Sequence, residues 1–244
     1  MGIPKPMANT KALSQYRSRN LGTAFLAIAS GSSDVIAFLV LGQVFASAMT
    51  GNTALLGIAI SEGNLLAASK PFTPLFGFVI GAAFASAIYS PGVPATRQPV
   101  VLRTLLLIEI GCLGAFAIIW QMADNPTKGV TLYGLILLCS IGMGIQGIAA
   151  KNINVPGVST IVFTSTLAGI VLSVTEILLR RRSGVDFRSA TKVQVAIFGA
   201  YGAGAVLAGL LDRNEFALLT CMPVAAVIFA LGCFELRRGH SIGT

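Results

Sequence analysis

The chain has 244 residues, 55% of them hydrophobic and only 11% charged, with a net charge of +8 and a mean hydropathy of +0.81. A soluble domain carries about a quarter charged residues, because its surface faces water. Composition therefore excludes a soluble enzyme, a nucleic-acid-binding protein and a disordered tail, and points to an all-α bundle of membrane-spanning helices.

Basic residues gather at the ends of apolar runs, as at Arg180-Arg181-Arg182 and Arg237-Arg238. There they set orientation and meet anionic lipid headgroups. Residues 1–20, with Lys5, Lys11, Arg17 and Arg19, read as a cytoplasmic tail. The apolar stretch that follows is too long for a signal sequence and reads as a retained anchor. A crossing needs about 20 apolar residues. Leu21 to Ile60 therefore reads as two crossings, turning at Leu41-Gly42-Gln43. Further spans are expected near 73–90, 102–122, 130–150, 157–179, 193–211 and 216–236. That makes eight helices in one transmembrane domain, 21–236, followed by a cytoplasmic tail, 237–244. With both termini inside, thirteen Lys and Arg fall on the cytoplasmic side, Lys70 and Lys128 among them. Four fall outside: Arg97, Arg103, Lys151 and Arg213. The bias sets the orientation but does not separate eight helices from six.

The chain repeats itself. Met49-Thr50-Gly51-Asn52 and its flanks resemble Phe163-Thr164-Ser165-Thr166, with Thr50 and Thr164 114 positions apart. The small-residue ladder Gly77, Gly81, Ala85 returns as Ala200, Gly204, Ala208, displaced by 123. Small residues four apart let helices approach closely in lipid. The halves are read as about 21–122 and 130–236. Four helices in each would make a parallel repeat, three an inverted one.

Polar groups inside the apolar runs are the candidate site. A mid-membrane aspartate costs roughly 2.5–3.5 kcal/mol on insertion scales and needs a partner or water. Asp34 stands nine residues before Gln43 and Asn52 nine after. A hairpin would bring them to one depth, roughly 13 Å from the turn. Thr50 and Thr53 lie within a turn of Asn52, and together these groups make a cluster for a proton, a cation or a substrate amine. Glu109, about seven residues into its helix, is expected at comparable depth. In the second half the matching place holds Gln146, with Ser159, Thr160, Thr164, Ser165 and Thr166 across the turn. Each has a structural alternative: Asp34 as a neutral, hydrogen-bonded packing residue, Glu109 tilted toward the headgroups, and Thr50, Asn52, Thr164 and Thr166 as interhelical glue. Glu176 reads as an i,i+4 partner of Arg180, and Trp120 as an interface anchor.

Cys112, Cys139, Cys221 and Cys233 sit in apolar runs without ligand spacing and read as free thiols. The single histidine, His240, lies in the tail. No metal site, cofactor or ATP-binding motif is expected.

Gly31-x-x-Asp34, Phe38, Gly42-x-x-Phe45 and Met49-Thr50-Gly51-Asn52 resemble the signature of the YoaK family, multi-pass proteins of bacterial membranes grouped by a domain of unknown function. Gln146 and Ser159-Thr160…Thr164 resemble its second-half motif, with Gly147 where the family has Asn and Thr164-Ser165 where it has Thr-Gly. The resemblance runs from about residue 20 to 236. It implies an integral protein of the bacterial cytoplasmic membrane with about six helices, and no particular activity.

Two functions follow. One is a small secondary transporter coupled to protons or cations, with Asp34, Thr50, Asn52, Glu109, Gln146 and Thr164 around its site. The other is a membrane scaffold or partner subunit that transports nothing. An enzyme is not expected, since there is no intramembrane histidine and no paired cysteine. The expected partners are the lipid bilayer and an unidentified small molecule or ion. Nucleic acid is excluded, and a homo-oligomer is left open.

Overall fold

Hydrocarbon offers the backbone no hydrogen-bond partners, so an apolar chain must satisfy its N–H and C=O groups within its own segments. The computed structural model describes residues 7–89, 94, 96–123, 127–153, 163–179, 185–211 and 216–242. Among these residues there are eight α-helices and no strand: α1 (Met7–Val40), α2 (Met49–Ser61), α3 (Leu65–Ile88), α4 (Gln98–Met122), α5 (Gly129–Ile153), α6 (Phe163–Leu178), α7 (Val185–Leu211) and α8 (Phe216–Ile242).

Six contain apolar stretches long enough to cross a bilayer: Tyr16–Val40, Leu65–Ile88, Gln98–Met122, Gly129–Lys151, Ser189–Leu211 and Leu218–Glu235. The other two are short. α2 has 13 residues, and the apolar part of α6 is Thr166–Leu178. Thirteen residues reach roughly 20 Å, well short of a 30 Å hydrocarbon core. Eight helices are present, as composition and period predict, but eight crossings are not. The expected span 157–179 shrinks to α6, and residues 154–162 lie outside the described residues. The expected start at 73 moves to Leu65, because Asn64 caps α3 by accepting the Ala67 N–H at 2.9 Å.

Nor is α2 the second arm of a hairpin against α1. Beyond Val40 the chain turns through Gly42 and Gln43, whose φ angles are +88° and +64°. It then runs back until Ser47 and Ala48 meet Asp34, six residues before the end of α1. That return spans roughly 9 Å of helix. α2 starts at this depth and packs on α3, to which Glu62-Gly63-Asn64 connects it. Residues 41–61 therefore form a re-entrant arm. Counting six crossings, Lys70 and Lys128 stand on the face opposite the N-terminus, and Arg97, Arg103 and Lys151 on its own face. Lys70 lies over Gly42, which sets its ammonium at the negative C-terminal end of α1.

α1 packs on α7 and α8 and crosses α5; α3 packs on α5, α4 on α5 and α8, and α6 on α7. The pairs α1–α7 and α3–α5 meet backbone to backbone. A Cβ on Gly31 would collide with the Tyr201 carbonyl, and one on Gly204 with the Ile28 carbonyl. Likewise a Cβ on Gly144 would strike the Phe78 carbonyl, and one on Gly81 the Ile141 carbonyl. The two sets match position by position. Gly31 to Gly144 and Ile28 to Ile141 are each 113 apart; Phe78 to Tyr201 and Gly81 to Gly204 are each 123 apart. Around these contacts lies the core, with Leu26, Leu105, Leu113, Phe116, Met143 and Leu219 buried. Trp120 belongs to it as well. It is 9% exposed with its ring 6.3 Å from that of Phe116, so it packs inside rather than anchoring the interface.

The backbone contacts make a simple expectation. Gly81→Val should lower stability by about 1–3 kcal/mol, as overpacking does. Gly57→Ala, where a Cβ meets nothing within 4 Å, should leave it unchanged. Thermal unfolding of the purified protein in detergent reads both, and an unshifted Gly81→Val would contradict the close approach of α3 and α5.

Candidate functional site

A helix that begins inside the membrane brings unpaired N–H groups with it. In the re-entrant arm the N–H groups of Ser47 and Ala48, just before α2, are met by Asp34, which is 3% exposed. Its Oδ1 accepts the Ser47 N–H at 2.6 Å and the Ala48 N–H at 3.2 Å. Its Oδ2 accepts the Ser47 hydroxyl and the Tyr201 hydroxyl, each at 2.7 Å. Four donors fill the roughly four acceptor sites of a carboxylate. The positive end of the α2 dipole adds to the attraction. Tyr201 belongs to α7, so the aspartate joins three pieces of chain: α1, the arm and the second half.

Asn52 holds the other end of the arm. It is fully buried; its Oδ1 accepts the Phe45 N–H at 2.9 Å and its Nδ2 donates to the Phe45 carbonyl at 2.7 Å. The amide thereby takes the place a neighbouring backbone would have. The Phe45 ring stacks on Phe38 with centroids 5.3 Å apart. Gly51 leaves room for that ring, since a Cβ there would come within 2.8 Å of it. Gly42, Phe45, Gly51 and Asn52 are thus parts of one elbow.

The expected Asp34–Asn52 pair does not form: among the described residues no hydrogen bond joins them. Each secures a different part of residues 45–48, because the chain re-enters instead of turning at the surface. Thr50 is exposed, and the Thr53 hydroxyl returns to the Met49 carbonyl at 2.9 Å. Neither threonine reaches the aspartate.

Glu109 lies elsewhere. It is eleven residues into α4, roughly 16 Å from its start, and not seven residues from the outer end. It is fully buried, and neither carboxyl oxygen has a hydrogen-bond partner among the described residues. Gln146 of α5, 1% exposed, reaches α1 rather than α6. Its Nε2 donates to the Leu26 carbonyl at 2.9 Å and the Ser30 hydroxyl oxygen at 2.7 Å. Thr164 falls in α6, but its side chain and that of Ser165 lie outside the described residues, as do Ser159, Thr160 and Arg180, the expected partner of Glu176. Thr166 is buried.

The offset of 113 between Gly31 and Gly144 gives an alignment of α5 on α1, beside the offset of 114 between Thr50 and Thr164. Gln146 corresponds to Ser33, and the counterpart of Asp34 is Gly147. At the offset of 123, the counterpart of Tyr201 is Phe78. The α3–α5 crossing therefore lacks both the acid and the phenolic donor that the α1–α7 crossing holds.

Ser47 and Tyr201 escaped the sequence reading. A tyrosine among the small residues of α7 is a visible signal, since a buried phenol needs a partner. Nothing in the sequence marks Ser47, which only the return of the chain brings to Asp34. A cleft of about 540 Å³ opens beside them, lined by Asp34, Val35, Phe38, Leu39, Phe45 and Tyr201. Aromatic rings along its wall and the charge of the already bonded carboxylate at its polar end suit a cation or an amine with an apolar body. Among the described residues no three His, Cys, Asp or Glu side chains gather for a metal, and all four cysteines are free.

Asn52→Ala removes both bonds to Phe45 and should cost about 1–3 kcal/mol by leaving buried groups unpaired. Thr50→Ala, on the exposed side, should stay within about 0.5 kcal/mol. Melting curves of the two variants against the parent measure the difference.

Residues 22–234 match the family described as Protein of unknown function (DUF1275), and the chain belongs to that family. The UPF0700 transmembrane protein YoaK of Bacillus subtilis (strain 168) is 29% identical over 219 residues, which cover 90% of this chain and 95% of the relative. No solved structure matches. The protein is a transmembrane, multi-pass member of the family, with six long apolar helices among the described residues.

Proposed function

We propose that this family member is a small secondary transporter, coupled to protons or cations, that binds its substrate where α1, α7 and the start of α2 converge. One observation carries the reading: a half-length helix begins inside the bundle, with its N-terminal end on a buried aspartate that also bonds the other half of the chain. Ion and substrate sites of secondary transporters lie near the midplane, between repeats, and are built from such interrupted helices. The matched glycine contacts of α1–α7 and α3–α5 support two related halves. Each half holds three long helices and one short one, and three crossings per half correspond to an inverted repeat.

In this reading the protein lies in the bacterial cytoplasmic membrane, is not an enzyme and keeps both termini inside. With six crossings, the described residues Arg17, Arg19, Arg97, Arg103 and Lys151 stand on the N-terminal face, and Lys70 and Lys128 on the opposite one. Such an excess marks the cytoplasmic side. In a background with the four native cysteines replaced by alanine, an impermeant maleimide should label Lys128→Cys in intact cells and Ser241→Cys only after lysis. The reverse pattern would overturn the orientation.

The four donors on Asp34 favour a second reading, in which the acid is a structural pin and the protein a non-transporting scaffold or partner subunit. Asp34→Asn separates the two. A transporter variant inserts and folds but loses uptake in vesicles, whereas a scaffold variant loses its folded state. Screening melting temperature against organic cations and amines finds the substrate class, because a ligand of the folded state raises it by mass action. Unchanged uptake by Asp34→Asn would end the transporter proposal at this site.

A further inference from the structure

We propose that Glu109, not Asp34, carries the coupling proton, an inference that rests on the transporter reading and names the proton as the coupling ion. The two buried acids differ in what surrounds them. Every acceptor site of Asp34 is taken, so a proton could bind there only by displacing Ser47, Ala48 or Tyr201. Glu109 offers two bare oxygens, fully buried, on the face of α4 that also carries Leu105, Leu106, Leu113 and Phe116. An ionised carboxylate in such a setting is strongly disfavoured, and proton uptake on one oxygen, with no other bond changed, removes the buried charge.

Its position suits the role. Gly142 of α5 lies against Cys112 and Leu113 of α4. Glu109, one turn earlier on α4, therefore comes level with Gln146, one turn later on antiparallel α5. Gln146 Oε1 is also buried and without a partner among the described residues, and the Ser33 hydroxyl of α1 stands against the Cys139 thiol. Gln146 thus links the level of Glu109 to α1, where its Nε2 donates to the Leu26 carbonyl and the Ser30 hydroxyl oxygen.

The titratable groups that feel Glu109 are the thiols of Cys112 on α4 and Cys139 on α5; Cys139 also feels Asp34. On α8 the charged neighbour of α4 is Glu235, whose Oε1 lies 3.6 Å from Arg103 Nε. Arg103 is six residues from Glu109, roughly 9 Å along the helix.

The test is infrared spectroscopy of the protein in lipid, with labelling by the apolar reagent dicyclohexylcarbodiimide, which attacks protonated carboxyls in hydrocarbon. A neutral carboxylic acid band should appear at pH 7, vanish in Glu109→Gln and persist in Asp34→Asn. The adduct should map to the α4 peptide and be absent from Glu109→Gln. A band that survives Glu109→Gln, or one lost in Asp34→Asn, overturns the assignment. Proton-driven uptake should be lost in Glu109→Gln while the ligand-induced rise in melting temperature remains. Uptake that stays proton-driven in this variant also overturns it. A Glu109 band in a protein that moves no substrate would instead strike the transporter reading.

Discussion

A backbone N–H without a partner in hydrocarbon costs several kcal/mol, and an irregular stretch of chain at that depth carries many of them. The re-entrant arm of this protein exists because two side chains take over that duty. Asp34 accepts from the arm where α2 begins, and Asn52 pairs both backbone groups of Phe45. The depth of α2 and the cleft beside Phe38 and Phe45 depend on these bonds. The link to α7 through Tyr201 depends on the same carboxylate. Gly31, Gly42 and Gly51 serve the same end. One lets α7 approach, one turns the chain and one makes room for a ring.

The second constraint is the absence of a hydrophobic force between helices in lipid. Association there rests on close packing, which the four glycines at the α1–α7 and α3–α5 crossings permit. The two crossings share this geometry but not the chemistry at its centre: α5 and α3 have Gly147 and Phe78 where α1 and α7 have Asp34 and Tyr201. Loss of the donor alongside the acid is physically consistent, since a phenol buried without an acceptor would be a penalty of its own.

Much of this was legible because polar residues are rare in apolar runs. Asp34, Asn52, Glu109 and Gln146 were all singled out, and all are buried. Their partners were not legible. A run of forty apolar residues fits two crossings as well as one crossing and a re-entrant arm, because length measures apolarity and not direction. Reading a hairpin set Asn52 opposite Asp34; the real path sets Ser47 there. The extra crossing also placed Lys70 and Lys128 on the wrong face and started α4 from the wrong side. Trp120 looked like an anchor because it nears the end of a span, but its neighbours bury it.

Sequence alone determined the environment and the elements: a membrane chain, eight helical segments, close-packed small residues, and buried polar groups that must find partners. Composition and period suffice for these, because hydrocarbon leaves the backbone little choice. Tertiary structure decided which helices are long enough to cross, where the chain turns back, and that one buried acid is bound by four donors while the other stands bare. Those outcomes depend on contacts between residues as far apart as Asp34 and Tyr201, and no local pattern encodes such a distance.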